Sequence, residues 1–144
     1  MAIRVKRQKC HDLRIQEQID VSLYKFKNQE AKWLLVEALL SGNYKQCKGH
    51  LRQNDGFCCL GVACDVARKH GNLRNTRWHV CGLKSGIYTF SGSTTFLPPK
   101  VAEWLGTDCI DPCVIYGGQV KRLSALNDDG VPFNMIAGLI INQL

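Results

Sequence analysis

Apolar side chains recur at helical spacing in three stretches of this chain. In residues 28–41, Trp33, Val36 and Leu40 form one row and Leu34 and Ala38 its neighbour, the stripe an amphipathic helix turns toward a core. Asn28 is placed as an N-cap, Glu30 complements the dipole in the first turn, and Gly42 stops the helix. In residues 58–70, Leu60, Ala63 and Ala67 lie beside Cys59, Val62 and Val66, again at i, i+3, i+4 and i+7. Arg68, Lys69 and His70 fill the last turn and Gly71 follows. Gly61 inside this helix costs about 1 kcal/mol relative to alanine, which predicts a close approach of another backbone. In residues 132–142, Phe133, Ile136, Ala137, Leu139 and Ile140 make a broad apolar stripe.

The remaining segments read as short strands and turns. Asn54-Asp55-Gly56 is a turn signal and predicts a hairpin pairing 48–53 with 56–59. Residues 78–81 and 86–90 are β-branched and aromatic enough to form strands. Pro99 opens a short helix over 99–105, which Gly106 closes. Residues 114–116 suggest a strand, Gly117-Gly118 a turn, and residues 122–127 a short helical turn ended by Asp128-Asp129-Gly130. Residues 1–9 alternate apolar and basic, as an edge strand or a basic arm would. In residues 10–27, Ile15, Ile19, Leu23 and Phe26 fall at helical spacing, whereas Val21 and Tyr24 fit other readings. The expected fold is α+β: about four helices packed on a small antiparallel sheet, as one domain at 28–144 after a basic extension at 1–27. Trp33, Trp78, Trp104, Phe57, Phe96 and Phe133 are the aromatic core candidates; Tyr44, Tyr88 and Phe90 are expected to be exposed.

Composition narrows the functional classes. With 144 residues, 45% hydrophobic and 22% charged, the chain is globular and large enough to bury a core without staples. Its uninterrupted apolar runs reach only four or five residues, which predicts no membrane partner. The basic start lacks the apolar segment of a secretory signal. The net charge of +7 is uneven. Residues 1–77 hold 15 Lys and Arg against 7 carboxylates, and residues 78–144 hold 4 against 5. A basic half of this kind suits nucleic acid, a nucleotide or an acidic protein surface, or else is a solvated face. The best cluster for such a partner is Tyr44 with Lys45, Lys48 and Arg52, joined by Arg4, Lys6 and Arg7 of the extension. Replacing Lys45, Lys48 and Arg52 with Glu is expected to abolish function and spare the fold.

The eight cysteines permit three readings. Without a secretory context they are expected to be reduced, and mostly buried as small hydrophobes. Zinc would require four convergent ligands, which His79, Cys81, Cys109 and Cys113 are the set to supply, although their spacing matches no standard pattern. Nucleophilic catalysis would use Cys58 or Cys59 at a helix N-terminus, where the dipole lowers a thiol pKa. His79 and then Asn127 or Asp128 follow in the chain order of papain-like hydrolases. No Gly-rich phosphate loop or paired-carboxylate motif is present, and no cofactor is expected.

Five segments in fixed order carry a resemblance. They are Trp33–Gln46 (WLLVEALLSGNYKQ), 49–52 (GHLR), 57–65 (FCCLGVACD), 97–106 (LPPKVAEWLG) and 123–137 (LSALNDDGVPFNMIA). Together they resemble a family of small proteins encoded by bacteriophages and prophages, over about residues 30–142. The resemblance implies synthesis in a bacterial host cytoplasm and an accessory role by binding. The partner would be a host or anti-phage defence protein with an acidic surface, or a nucleotide signal. It assigns no activity to any residue.

Overall fold

The computed structural model describes residues 24–71 and 73–144. Readings that fall on 1–23, including Arg4, Lys6 and Arg7, lie outside the described residues. Five helices and seven strands occur among those described. They make one compact α+β domain.

Helix α1 (Gln29–Leu40) begins where the sequence predicts. The Asn28 side-chain oxygen accepts from the Ala31 N–H at 3.2 Å, its amide donates to the Trp104 carbonyl, and its own N–H donates to Leu105. One cap residue thus closes α1 and pins it to α3 (Pro99–Leu105). The buried face differs from the expected one. Ala31, Leu35, Val36 and Leu39 are inside, while Trp33 and Leu40 are about half exposed at 46% and 54%. This helix is apolar around most of its circumference, so periodicity could not choose its inner row. The choice falls to α5 (Phe133–Gln143), its main packing partner. Lys32, at the edge of the buried row, reaches the Ile141 carbonyl with Nζ at 3.3 Å.

Helix α2 (Cys59–His70) is the centre of the molecule, with every residue from Cys59 to Ala67 buried. Gly61 behaves as its position predicts. A Cβ built there would collide with the Leu51 carbonyl oxygen, which accepts from the Cys58 N–H at 3.0 Å.

Five short strands form a sheet: β1 (Lys45–Gln46), β2 (Arg52–Gln53), β3 (Gly56–Phe57), β4 (Trp78–Val80) and β5 (Ile87–Phe90). Their order is β1-β3-β2-β5-β4. The β2–β3 hairpin turns at Asn54-Asp55, with Asn54 at φ 54°. The sheet is mixed rather than purely antiparallel, because β1 runs parallel to β3. Strands of two residues carry no alternation, so the sequence pattern is silent on their pairing. A separate hairpin joins β6 (Cys113–Tyr116) to β7 (Gln119–Arg122). Both residues of its Gly117-Gly118 turn have positive φ, which glycine adopts without strain. Helix α4 (Leu123–Asp128) follows directly.

Tyr24 and Phe26, assigned from sequence to the extension, are buried at 5% and 1% exposure. Phe26 donates its N–H to the Leu144 carbonyl, and Lys27 donates to Gly106. Phe90 is also fully buried, against expectation, and Phe96 is 37% exposed. Among the described residues no helix is long and apolar enough to cross a membrane.

Candidate functional site

The structure does not assemble the cysteine sites. Cys58 is the N-cap of α2, but its sulfur is buried and accepts the Gly61 N–H at 3.3 Å. Burial pushes its thiol up to about 12, against the lowering effect of the Gly61 and Leu60 amides. Cys59 is fully enclosed and is pushed well upward, first by burial and then by Cys58. A nucleophile needs the opposite shift and access to substrate. His79 is exposed on β4, paired across the ladder with Thr89. No hydrogen bond among the described residues links it to either thiol.

Asn127 is wholly buried, and all its polar capacity is spent on structure. Its oxygen accepts from the Cys59 N–H at 3.1 Å and from Gln46 Nε2 at 2.9 Å. Its amide donates to the Cys47 carbonyl at 2.8 Å and to Asp128 at 3.3 Å. It therefore caps α2 from α4 and fastens β1 to both. The papain-like reading of Cys58, Cys59, His79 and Asn127 is corrected on these grounds.

The zinc reading fails as well. No three His, Cys, Asp or Glu among the described residues are grouped as metal ligands. Cys81 is exposed, Cys113 is buried and Cys109 is disulfide-bonded.

The basic, aromatic cluster is partly assembled. Tyr44 and Arg52 meet through Phe57. The Tyr44 ring packs edge-on against Phe57 with centroids 5.1 Å apart, and the Arg52 guanidinium lies 5.0 Å from the same ring. Lys45 instead makes an exposed ion pair with Asp55 at 3.7 Å. Lys48 faces the loop after α4, where a Cβ on Gly130 would lie 3.7 Å from its Nζ.

Sequence reasoning missed the rest of the cluster. Phe57 on β3 and Trp78 on β4 are three strands apart in the sheet order, yet their rings are 5.6 Å apart. Flat strands at the usual spacing would hold their backbones roughly 14 Å apart, so the two long side chains lean toward each other across β2 and β5. Arg52 of β2 lies with them, 4.1 Å from the Tyr88 ring centroid and 5.5 Å from Trp78. Cation–π attraction to three rings fixes the guanidinium plane. Its one hydrogen bond among the described residues runs from Nε to the Asn54 carbonyl at 3.3 Å. No carboxylate among the described residues lies within ion-pair distance of it. Both terminal nitrogens therefore keep their N–H donors for something else.

Asp65 of α2 supports this arrangement from below. It is 4% exposed and accepts from the Tyr44 hydroxyl at 2.6 Å, Trp78 Nε1 at 3.1 Å and Arg68 Nε at 3.0 Å. Arg68 and Lys69 also pair with it at 2.9 and 3.2 Å. Burial alone would raise its pKa, but the hydrogen bonds from Tyr44, Trp78 and Arg68 hold it below the ordinary carboxylate value. Asp65 thus orients two of the aromatic side chains and keeps two cations at their edge. The one cue in the sequence was the i, i+3 and i, i+4 spacing of Asp65 with Arg68 and Lys69.

Fold and site together describe a small α+β protein that carries an arginine stacked among the aromatic rings of a mixed sheet. Residues 27–144 match the family model described as Domain of unknown function (DUF8296), and the chain belongs to that family. No curated protein matches the chain, and no solved structure does.

Proposed function

We propose that this protein acts by binding, and that the Arg52 centre takes an oxyanion of its partner. The observation that carries the reading is a guanidinium immobilised by Tyr88, Phe57 and Trp78 whose terminal N–H groups have no protein acceptor among the described residues. Such a fork matches a carboxylate or phosphate with two parallel hydrogen bonds. Pre-fixing it lowers the entropy lost on binding. Arg68 and Lys69, two cations around the single carboxylate of Asp65, leave the rim positive and steer anions toward it. The buried thiols, with pKa values raised by desolvation, support binding over cysteine chemistry. The bacteriophage resemblance supplies the setting: an accessory protein that works by binding in the bacterial host cytoplasm.

Elution from phosphocellulose tests the reading. The wild-type protein is expected to bind at low salt. Arg52→Ala is expected to elute at clearly lower salt, with Arg52→Lys between them because it keeps charge and stem but not the fork. Circular dichroism of each variant confirms the fold. Equal elution of the three folded proteins would refute the assignment.

A further inference from the structure

We infer that the partner at this face is a single strand of nucleic acid, a proposal that rests on the anion-binding reading above. Two observations narrow the anion to this class. The first is the extent of the charge. Residues 44–77, which build β1–β3, α2 and the approach to β4, hold seven Lys and Arg against two carboxylates. One phosphate or one carboxylate needs only Arg52. A spread of cations that includes Lys45, Lys69, Arg74 and Arg77 suits a chain of phosphates, whose bound counterions are released on contact.

The second is the placement of rings among those cations. Tyr44, Phe57, Trp78 and Tyr88 are all half-buried, so each keeps part of its surface in solvent. An acidic protein surface gains nothing specific from such rings, whereas every base has a π-face that stacks on them. Lys69 lies 5.4 Å from the Tyr44 ring and Arg52 4.1 Å from Tyr88, so cations that suit phosphates stand beside rings that suit bases. Rings of this kind stack only on bases whose faces are free, and in a duplex those faces are covered by neighbouring pairs.

Fluorescence anisotropy with labelled twenty-nucleotide dT and U oligomers decides the matter, with polyglutamate and a DNA duplex as competitors. The expected result is binding at low salt, a log K that falls linearly with log salt, and weak competition by polyglutamate and duplex. Tyr88→Ala should weaken binding roughly five- to hundredfold, while Tyr88→Phe, which keeps the ring, should not. Lys45→Ala should flatten the salt slope by about 0.7. Polyglutamate that binds in an Arg52-dependent way while the oligomers do not would overturn the nucleic-acid inference and leave the anion-binding reading standing. Failure of every anion to bind would overturn both. Equal affinity for duplex, or an unaltered affinity in folded Tyr88→Ala, would also overturn the inference.

Discussion

A thiol at a helix N-terminus has two opposed influences on it, and Cys58 shows which prevails. The dipole and the Gly61 amide favour the thiolate, but enclosure from water disfavours it more and the thiol stays protonated. The same enclosure makes Cys64, at 0% exposure, a packing residue. Cys64→Ser should lower stability by about 2 kcal/mol, since it buries a hydroxyl among apolar groups; urea denaturation measures it, and an unchanged midpoint would contradict the burial. Alkylation of the native protein should label the exposed Cys81 first, with Cys58, Cys59 and Cys64 labelled only on unfolding, as peptide mass spectrometry would show. Arg52 needs its tertiary neighbours to be understood. From sequence it is one more surface cation; in the structure it packs on three rings. Its replacement by Glu, expected from sequence to be harmless to the fold, removes packing as well as charge.

At the scale of elements, α2 depends on contacts from outside itself. Its first free N–H groups are met by the Cys58 sulfur and by the Asn127 side chain reaching across from α4. The hairpin lies so close that Gly61 has no room for a methyl group. Gly61→Ala improves helix propensity yet should cost on the order of 3 kcal/mol, because backbone must move to accept it; a rise in stability would show that the approach is looser. Asp65 couples α2 to the sheet, and its depressed pKa fixes the sign of a pH effect. Its stabilisation is fully present above the unfolded carboxylate pKa and is lost as pH falls through the lower folded value. Asp65→Asn should therefore cost about 2 kcal/mol near neutral pH, and the gap from wild type should close in acid, as denaturation at pH 7 and pH 3 would reveal. Asp111 works in the opposite sense. It is buried, accepts from Ser124 N and Oγ at 3.1 and 2.5 Å, and has a pKa raised by desolvation, so protonation in acid relieves a cost there and moderates the loss at Asp65.

Over the whole molecule, the division of charge and the fold are separable. Lys45 and Lys48 are exposed, so reversing both to Glu should leave the melting temperature nearly unchanged while weakening polyanion binding; thermal scans and phosphocellulose elution read the two effects independently. The element inventory could be read from the chain wherever a period was long enough to repeat. The helices at Gln29–Leu40, Cys59–His70 and Phe133–Gln143, the Asn54-Asp55 turn and the α+β class were all legible, because twelve residues of apolar spacing or a residue suited to positive φ are local signals. The sequence also located the basic half and two members of the site, Tyr44 and Arg52. Only the tertiary structure decided which row of α1 faces inward, that β1 joins the sheet in parallel, and that Tyr24 and Phe26 belong to the core. It likewise decided that Asn127 is a strut, that Lys45 pairs with Asp55, and that Phe57, Trp78 and Tyr88 surround Arg52. Each of these depends on residues distant in the chain meeting in space. Local propensity has no term for such a meeting; burial of the shared apolar surface and satisfaction of the enclosed polar groups select it.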